Sequence, residues 1–323
     1  MLGLLGVPLL LQVVVPVGLL LWLVFARPSG YTAWLLAVAL VAGYVRLIAV
    51  AGLWLMLPPL LSTAYVVVLV VGGAVSLRRV QARTWAPSGA RAVVGVVVRG
   101  AALALVAALL LHANRARRPP AGEIVDLAFP LHNGTYLVVN GGSVELLNAH
   151  LATLERERAR PYRGQSHGVD LVRVTGQGRR ARGILPDDPA AYAIFGDTVV
   201  APCTGRVVAA EDGHPDMSPP LPDRAHMAGN HILLTCGTAT VLIAHLQRGS
   251  VSVIAGDVVS VGDLLGRVGN SGNSGEPHLH IHAQRPAPAI MRLGGEPLPI
   301  RLDGRYLVRN DQVTSSAAAR RSP

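Results

Sequence analysis

The sequence predicts two joined architectures: an N-terminal α-helical membrane domain of about four spans, then an all-β domain built on an antiparallel sheet. Three observations carry this. All 19 acidic residues lie at or beyond Glu123, while residues 1–122 hold 10 of the 29 arginines and no acid. Long uncharged apolar runs fill that first third. Beyond it, short valine-rich runs alternate with glycine turns. Hydrophobic residues make up 51% of the chain and charged ones 15%, against about 25% charged in ordinary soluble proteins.

Residues 2–26 are 25 uncharged positions with one strongly polar side chain, Gln12. About 20 apolar residues cross the hydrocarbon core of a bilayer, so this run is a first span. It lacks the basic start of a signal peptide and more spans follow, so it reads as a retained helix. Residues 47–77 add 31 positions without charge, broken at Pro58 and Pro59, and 31–45 extend that run backwards past Arg46. They predict spans at about 32–56 and 60–77. A fourth covers 92–113 with Arg99 inside it; Arg99 and Arg46 read as snorkelling or backbone-paired. Three of the four tryptophans, Trp22, Trp34 and Trp54, fall near span ends, where they would anchor at an interface. The loop 78–91 carries Arg78, Arg79, Arg83 and Arg91, and Arg27 follows the first span. Positive loops stay cytoplasmic, so both termini are expected outside, with Arg115, Arg117 and Arg118 as the opposing signal.

The domain division is 1–113 for the membrane part, 114–122 for a linker (NRARRPPAG), 123–312 for the β domain and 313–323 for a disordered tail (VTSSAAARRSP). Strands are expected at 135–139, 169–174, 198–201, 206–210, 231–235, 240–245, 251–254, 258–260, 264–268 and 278–283, at the spacing of a sandwich or barrel. The best short helix is 187–195. Cys203 and Cys236 either pair outside the membrane or stay as buried thiols.

Composition also excludes chemistries. The chain has no lysine, so a Walker-type phosphate loop and a Schiff-base enzyme are ruled out. From residue 123 onward, 19 arginines balance 19 acids, so the high isoelectric point is no sign of a nucleic-acid surface.

Chemistry concentrates in the histidines. His278, His280 and His282 alternate in PHLHIH. On a strand, positions two apart share a face, so three imidazoles line one side with Leu279 and Ile281 on the other. Such a row suits zinc, which takes nitrogen ligands in tetrahedral geometry. In SHGVDLV (166–172), His167 and Asp170 could both reach a metal. His245 ends the apolar run LIAHL. GNSG at 269–272 is similar to the serine-nucleophile loop of chymotrypsin-like proteases, a reading that leaves the histidine triplet without a role.

These elements together resemble the lysostaphin-type (LytM-like) zinc metallo-endopeptidases, which cut peptidoglycan cross-bridges. The resemblance covers about 123–285 and rests on GDTVVAPCTGRVVAAEDG (196–213), AGN (228–230), IAHLQRGSVSVIAGDVVSVGDLLGRVGNSGNSGEPHLHIH (243–282) and GVD (168–170). It implies the compact antiparallel fold of that family (the duplicated hybrid motif), one Zn2+, Asp170 and His280 as ligands, His278 as the histidine activating a water, and His245 as a second active-site histidine. The family's first ligand is a histidine four residues before the aspartate; here Ser166 stands there and His167 stands three before. On a strand that shift reverses the face, unless a loop or bulge restores it. A divergent branch of the family carries an Asn-x-His upstream, which makes His150 in LLNAH the other candidate, ranked behind His167. The resemblance implies a bacterial multi-pass membrane protein with its peptidase domain outside the cytoplasm, a bilayer and peptidoglycan as partners, and hydrolysis of cross-bridges. The alternative is a catalytically degenerate, membrane-held scaffold that binds wall peptide or activates another hydrolase.

Overall fold

The computed structural model describes residues 2–55, 57 and 60–316. The expected break at Pro58 and Pro59, and 317–323 of the expected tail, lie outside the described residues. The chain divides into two compact units, 1–115 and 116–323.

The first unit is helical. α1 (Leu2–Leu9) passes through a π-helical turn at Leu10–Val14 into α2 (Val15–Phe25); α3 (Tyr31–Ala51), α4 (Leu60–Arg78) and α5 (Ala90–Arg115) follow. Among the described residues, four helices are long and apolar enough to cross a membrane: 6–25, 31–51, 60–78 and 90–115. Leu20, Leu23, Ala37, Val41, Val45, Ile48 and Tyr65 pack together inside the unit, while Val66, Val67, Val70 and Val71 of α4 face outward. That is the distribution expected where lipid is the solvent. Gln12 is buried and lies in the π-helical turn. Its amide donates to Leu53 O at 3.2 Å and accepts from Leu53 N at 2.9 Å, and Tyr65 Oη donates to Gln12 O at 2.7 Å. Gln12 thereby satisfies the backbone where α3 ends, five residues short of the expected 56. Arg99 Nη1 donates to Gly95 O at 2.8 Å within α5 and its guanidinium lies 5.4 Å from the Trp22 ring centroid, so it pairs with backbone as expected.

The second unit contains β1 (Val125–Leu127), β2 (Gly134–Asn140), α6 (Ala152–Glu155), β3 (Val169–Val174), β4 (Thr198–Val200), β5 (Gly205–Glu211), β6 (Asn230–Cys236), β7 (Ala239–Leu246), β8 (Val258–Val259), β9 (Leu264–Arg267), β10 (Leu279–Gln284), β11 (Pro297–Leu298), β12 (Ile300–Leu302) and β13 (Gln312–Ser315). The main sheet runs β13-β2-β3-β10-β7-β6-β5-β8, with β11 on the far end of β10; β4 pairs with β9 and β1 with β12. Among the described strands, only β1 and β12 pair in parallel. The architecture is therefore an antiparallel β domain after four apolar helices. Tyr136, Leu171, Ile232, Leu234, Ile243, Leu279 and Ile281 form the centre of its core.

Four expectations are corrected. Residues 251–254 make no strand: Val251 and Val253 pack on the core, while Val251 N bonds to the Asp212 carboxylate, Ser252 N to Leu265 O and Ile254 N to the Asp257 carboxylate. Residues 187–195 hold only a 3-10 turn at Pro189–Ala191, capped by Asp188. The tail does not start at 313, because Gln312–Ser315 pair with β2. The linker is shorter at its start: α5 runs to Arg115, Ala116 O accepts from Ser143 N, and Arg117 pairs with Asp311 at 3.0 Å. Cys203 and Cys236 form a disulfide with Cα atoms 5.8 Å apart, joining the approach to β5 with the end of β6.

Candidate active site

The site is assembled across four neighbouring strands. The registers place Asn140 opposite Asp170, Asp170 opposite His280, and His280 opposite Ala244. One row thus crosses β2, β3, β10 and β7. Alternation along β10 sends Leu279, Ile281 and Ala283 into the core. His280 and His282 share the other face, their ring centroids 5.1 Å apart. His278 precedes the strand by one residue and keeps the same side: its Nε2 lies 3.7 Å from Asp170 Oδ1.

Ala244 is followed by His245, which on a regular strand would point away from His280. Asn230 pairs with Leu246 but Ile232 with Ile243, so β7 has one extra residue there. Such a bulge re-aims a side chain. His245 takes a left-handed φ of 63°, an uncommon conformation for a residue with a Cβ. The result brings its ring to 4.8 Å from His278 and 6.0 Å from His280, centroid to centroid. Its Nδ1 faces Ser271 O at 2.8 Å. Ser271 Oγ donates to Leu246 O and accepts from Asn230 N; the side chain is fully buried. Its hydroxyl braces the bulge, and the serine-nucleophile reading of GNSG is set aside.

The third member of the cluster is His150. Its Nε2 lies 2.9 Å from Asp170 Oδ2 and its ring stands edge-on to His280, centroids 4.7 Å apart. His150, Asp170 and His280 each offer a ligand atom, all within 4.8 Å of one another. Local hydrogen bonding explains how a loop residue is held there. Asn148 is fully buried, caps the 3-10 turn Ala149–Leu151 by accepting from His150 N, and donates to Gly142 O and Gly168 O. The Asn-x-His pattern is thus a cap and the ligand candidate it positions.

His167 is not brought to this group. It ends the 3-10 stretch Glu157–His167, so the face-reversal rule for strands does not operate on it or on Ser166. Its Nδ1 is buried without a hydrogen-bond partner, and burial lowers its pKa. Ser166 Oγ instead donates to Arg163 O. Gly168 then lets the chain pass under His280: a Cβ there would lie 2.6 Å from His280 Cε1.

Burial opposes charge on Asp170. His150 and His278 beside it, with hydrogen bonds from His150 and His280, nonetheless hold its carboxyl well below the usual carboxylate range. Burial pushes the imidazoles down: His280 below its ordinary value, His245 and His282 well below. The carboxylate is ionised and these rings are neutral, the forms that bind metal. Two imidazoles and a carboxylate are a zinc-type donor set. A neutral His280 has one ring proton and two close partners, Asp170 Oδ1 at Nδ1 and His282 Nδ1 at Nε2, each at 2.8 Å. Zinc held by Asp170 and by His280 Nδ1 would replace the hydrogen bond between them, with the ring proton then on the His282 side. The donors therefore fit zinc.

Sequence reasoning missed Asn140, whose Nδ2 donates to Asp170 Oδ2 at 2.8 Å, and Arg309, whose Nη2 donates to Asn140 Oδ1 at 3.2 Å. Burial lowers the Arg309 pKa to about 10. Neither carries a pattern a single sequence exposes. A small cavity beside the cluster is lined by Met227, His245, His280, His282 and Tyr162.

One stretch of the chain, residues 190–291, matches the model of peptidase family M23. It contains His245, His278 and His280; Asp170, His167 and His150 precede it. No curated protein gives a significant match. Among solved structures, the chain is similar to the antimicrobial peptidase lysostaphin from Staphylococcus simulans (21% identity, 39% of this chain and 39% of that one, TM-score 0.25). It is similar also to a peptidase M23 from Pseudomonas aeruginosa (18% identity, 58% and 60%, TM-score 0.28). A third is a zinc containing peptidase from Vibrio cholerae (18% identity, 36% and 46%, TM-score 0.22). The chain thus spans about two fifths of the length of full lysostaphin.

Proposed function

We propose that the β domain is a zinc metallo-endopeptidase that hydrolyses peptide cross-bridges of peptidoglycan, held at a bacterial plasma membrane by the four apolar helices. The observation that carries this reading is the convergence of His150, Asp170 and His280 beside His278 and His245. His150, Asp170 and His280 would hold zinc. Zinc in such a site supplies Lewis acidity, polarising a carbonyl oxygen and making water more acidic. His278 Nδ1 faces Glu276 O at 2.9 Å. A proton on Nδ1 leaves Nε2, on the Asp170 side, free to accept a proton from water and return it to the leaving amine. His245, neutral through burial, donates from Nδ1 to Ser271 O, which leaves Nε2 with a lone pair to accept a hydrogen bond from the attacking water and orient it. His150 beside Asp170 and His280 offers a third donor, which favours the endopeptidase over the degenerate scaffold.

The disulfide supports placement outside the cytoplasm, where such bonds persist, and the arginines of 78–91 support that side for both termini. A reporter active only outside the cytoplasm, fused after Arg118, should be active, and one fused near Thr84 silent; the reverse pattern removes access to the wall. The decisive assay is release of cross-bridge peptides from purified peptidoglycan by the full chain in detergent. Release that depends on zinc supports the endopeptidase. A zinc-loaded chain that binds peptidoglycan but releases nothing from several cross-bridge types is the scaffold instead.

A further inference from the structure

A second histidine–carboxylate cluster lies outside the groups used above. Glu211 ends β5, His231 is the second residue of β6, and the loop between the strands carries His214, Asp223 and His226. His214 Nε2 is 2.7 Å from Glu211 Oε1, and His226 Nδ1 is 2.7 Å from Asp223 Oδ2. The rings of His214 and His226 face each other with centroids 4.3 Å apart. His214, Asp223 and His226 each present a ligand atom within 4.8 Å of the others. His231 adds a separate observation. Its Nδ1 is 2.8 Å from Gly229 O and its Nε2 is 3.9 Å from Glu211 Oε2, so the ring borders the same group.

We propose that His214, Asp223 and His226 form a second divalent-cation site, of the zinc class, with Glu211 and His231 at its edge, and that it clamps the loop 212–229 onto the wall of the catalytic groove. Mixed imidazole and carboxylate donors select zinc-like cations over calcium or magnesium, which prefer oxygen alone. The path to the groove is short. His214 N donates to Asn230 Oδ1, and Asn230 Nδ2 returns a bond to His214 O. Asn230 N bonds Ser271 Oγ, and Ser271 O holds His245. On the other side of the loop, Asp223 N donates to Gly272 O, and Asn273 N to Met227 O. Met227, next to His226, lines the cavity with His245 and His280. Zinc here ties two distant points of the loop together without touching substrate.

The test counts zinc on the full chain in detergent after dialysis against buffered zinc. Asp170→Ala removes the first site, and one zinc per chain should remain. Adding His214→Ala and His226→Ala should take that to none. In the otherwise intact chain, His214→Ala with His226→Ala should take two zincs to one, which keeps the count readable if Asp170→Ala folds poorly. Hydrogen exchange supplies the second readout: zinc should slow exchange of amides in 223–229 in Asp170→Ala and not in the triple variant. Equal zinc with and without His214 and His226 overturns the site, and so does equal competition by calcium. Loss on Asp170→Ala reports the first site alone, so the two assignments fail separately.

Discussion

The two histidine clusters differ in what holds them. Asp170 and His280 sit in register on adjacent central strands, both buried. His214, Asp223 and His226 sit on a loop, with the His226 side chain 52% exposed. Strand pairing fixes Cα positions before any side chain is chosen, so the first set is preorganised and can be asked to stabilise a transition state. The loop set has no such frame, and its bound ion would itself supply the order. A buried set is also intolerant: removing one donor strands its partners without water. That asymmetry ranks the expected effects.

Asp170→Ala is the largest. It removes the charge that His150, His278 and His280 all face, so the first zinc should be lost and peptide release abolished. Retained zinc at this site, measured with His214→Ala and His226→Ala already in place, would show that the strand cluster is not the metal centre. His150→Ala should also lose that zinc, whereas His167→Ala should keep it. The opposite outcome would return the third ligand to His167 and require the segment before β3 to adopt another path.

His278→Ala separates chemistry from binding. It should keep the zinc while slowing release by about 100- to 10,000-fold, the scale of a general acid–base contribution. His245→Ala should act in the same direction. Full activity in His278→Ala would falsify its role.

What could be read without coordinates follows from how local each feature is. The spans depend on run length alone, and all four match helices. The β10 face depends on a period of two, so His280, His282 and the core side of Leu279 and Ile281 were legible. His150 was not decisively legible, because its place depends on a cap by Asn148 and on a turn that returns over β3. The strand rule applied to Ser166 and His167 failed because those residues are in a 3-10 turn. The bulge that aims His245 has no glycine to announce it. The loop cluster joins residues 214, 223 and 226 through no periodic pattern.

The disulfide closes the end of the β5–β6 pair opposite the loop cluster, since Cys203 precedes β5 and Cys236 ends β6. Replacing both cysteines by alanine should lower stability by about 2–4 kcal/mol, the usual range for a bond closing a loop of this size, read from denaturant unfolding of the β unit's signals in the full chain. The expected consequence is selective: exchange at the β5–β6 pair rises more than at β3–β10. Equal loosening of both would mean the two clusters share one cooperative frame, and the contrast drawn between them would not hold.

The smallest effect tests the frame of the strand cluster itself. Asn140 Nδ2 donates to the Asp170 oxygen that also faces His150, and Arg309 holds the other end of the amide. A hydrogen bond to a ligating carboxylate orients it, and losing such a partner costs about 10- to 100-fold in metal affinity or activity. Asn140→Ala should therefore weaken zinc binding on that scale without removing it, and Asn140→Asp should not rescue it, because a carboxylate cannot donate to Asp170. A purely structural Asn140 would lower stability and leave zinc affinity unchanged. Competition with a chelator distinguishes the two: affinity falls on the first account, and only the melting temperature falls on the second. If affinity is untouched, strand register alone orients Asp170, and the preorganisation attributed to the buried set needs no support from β2.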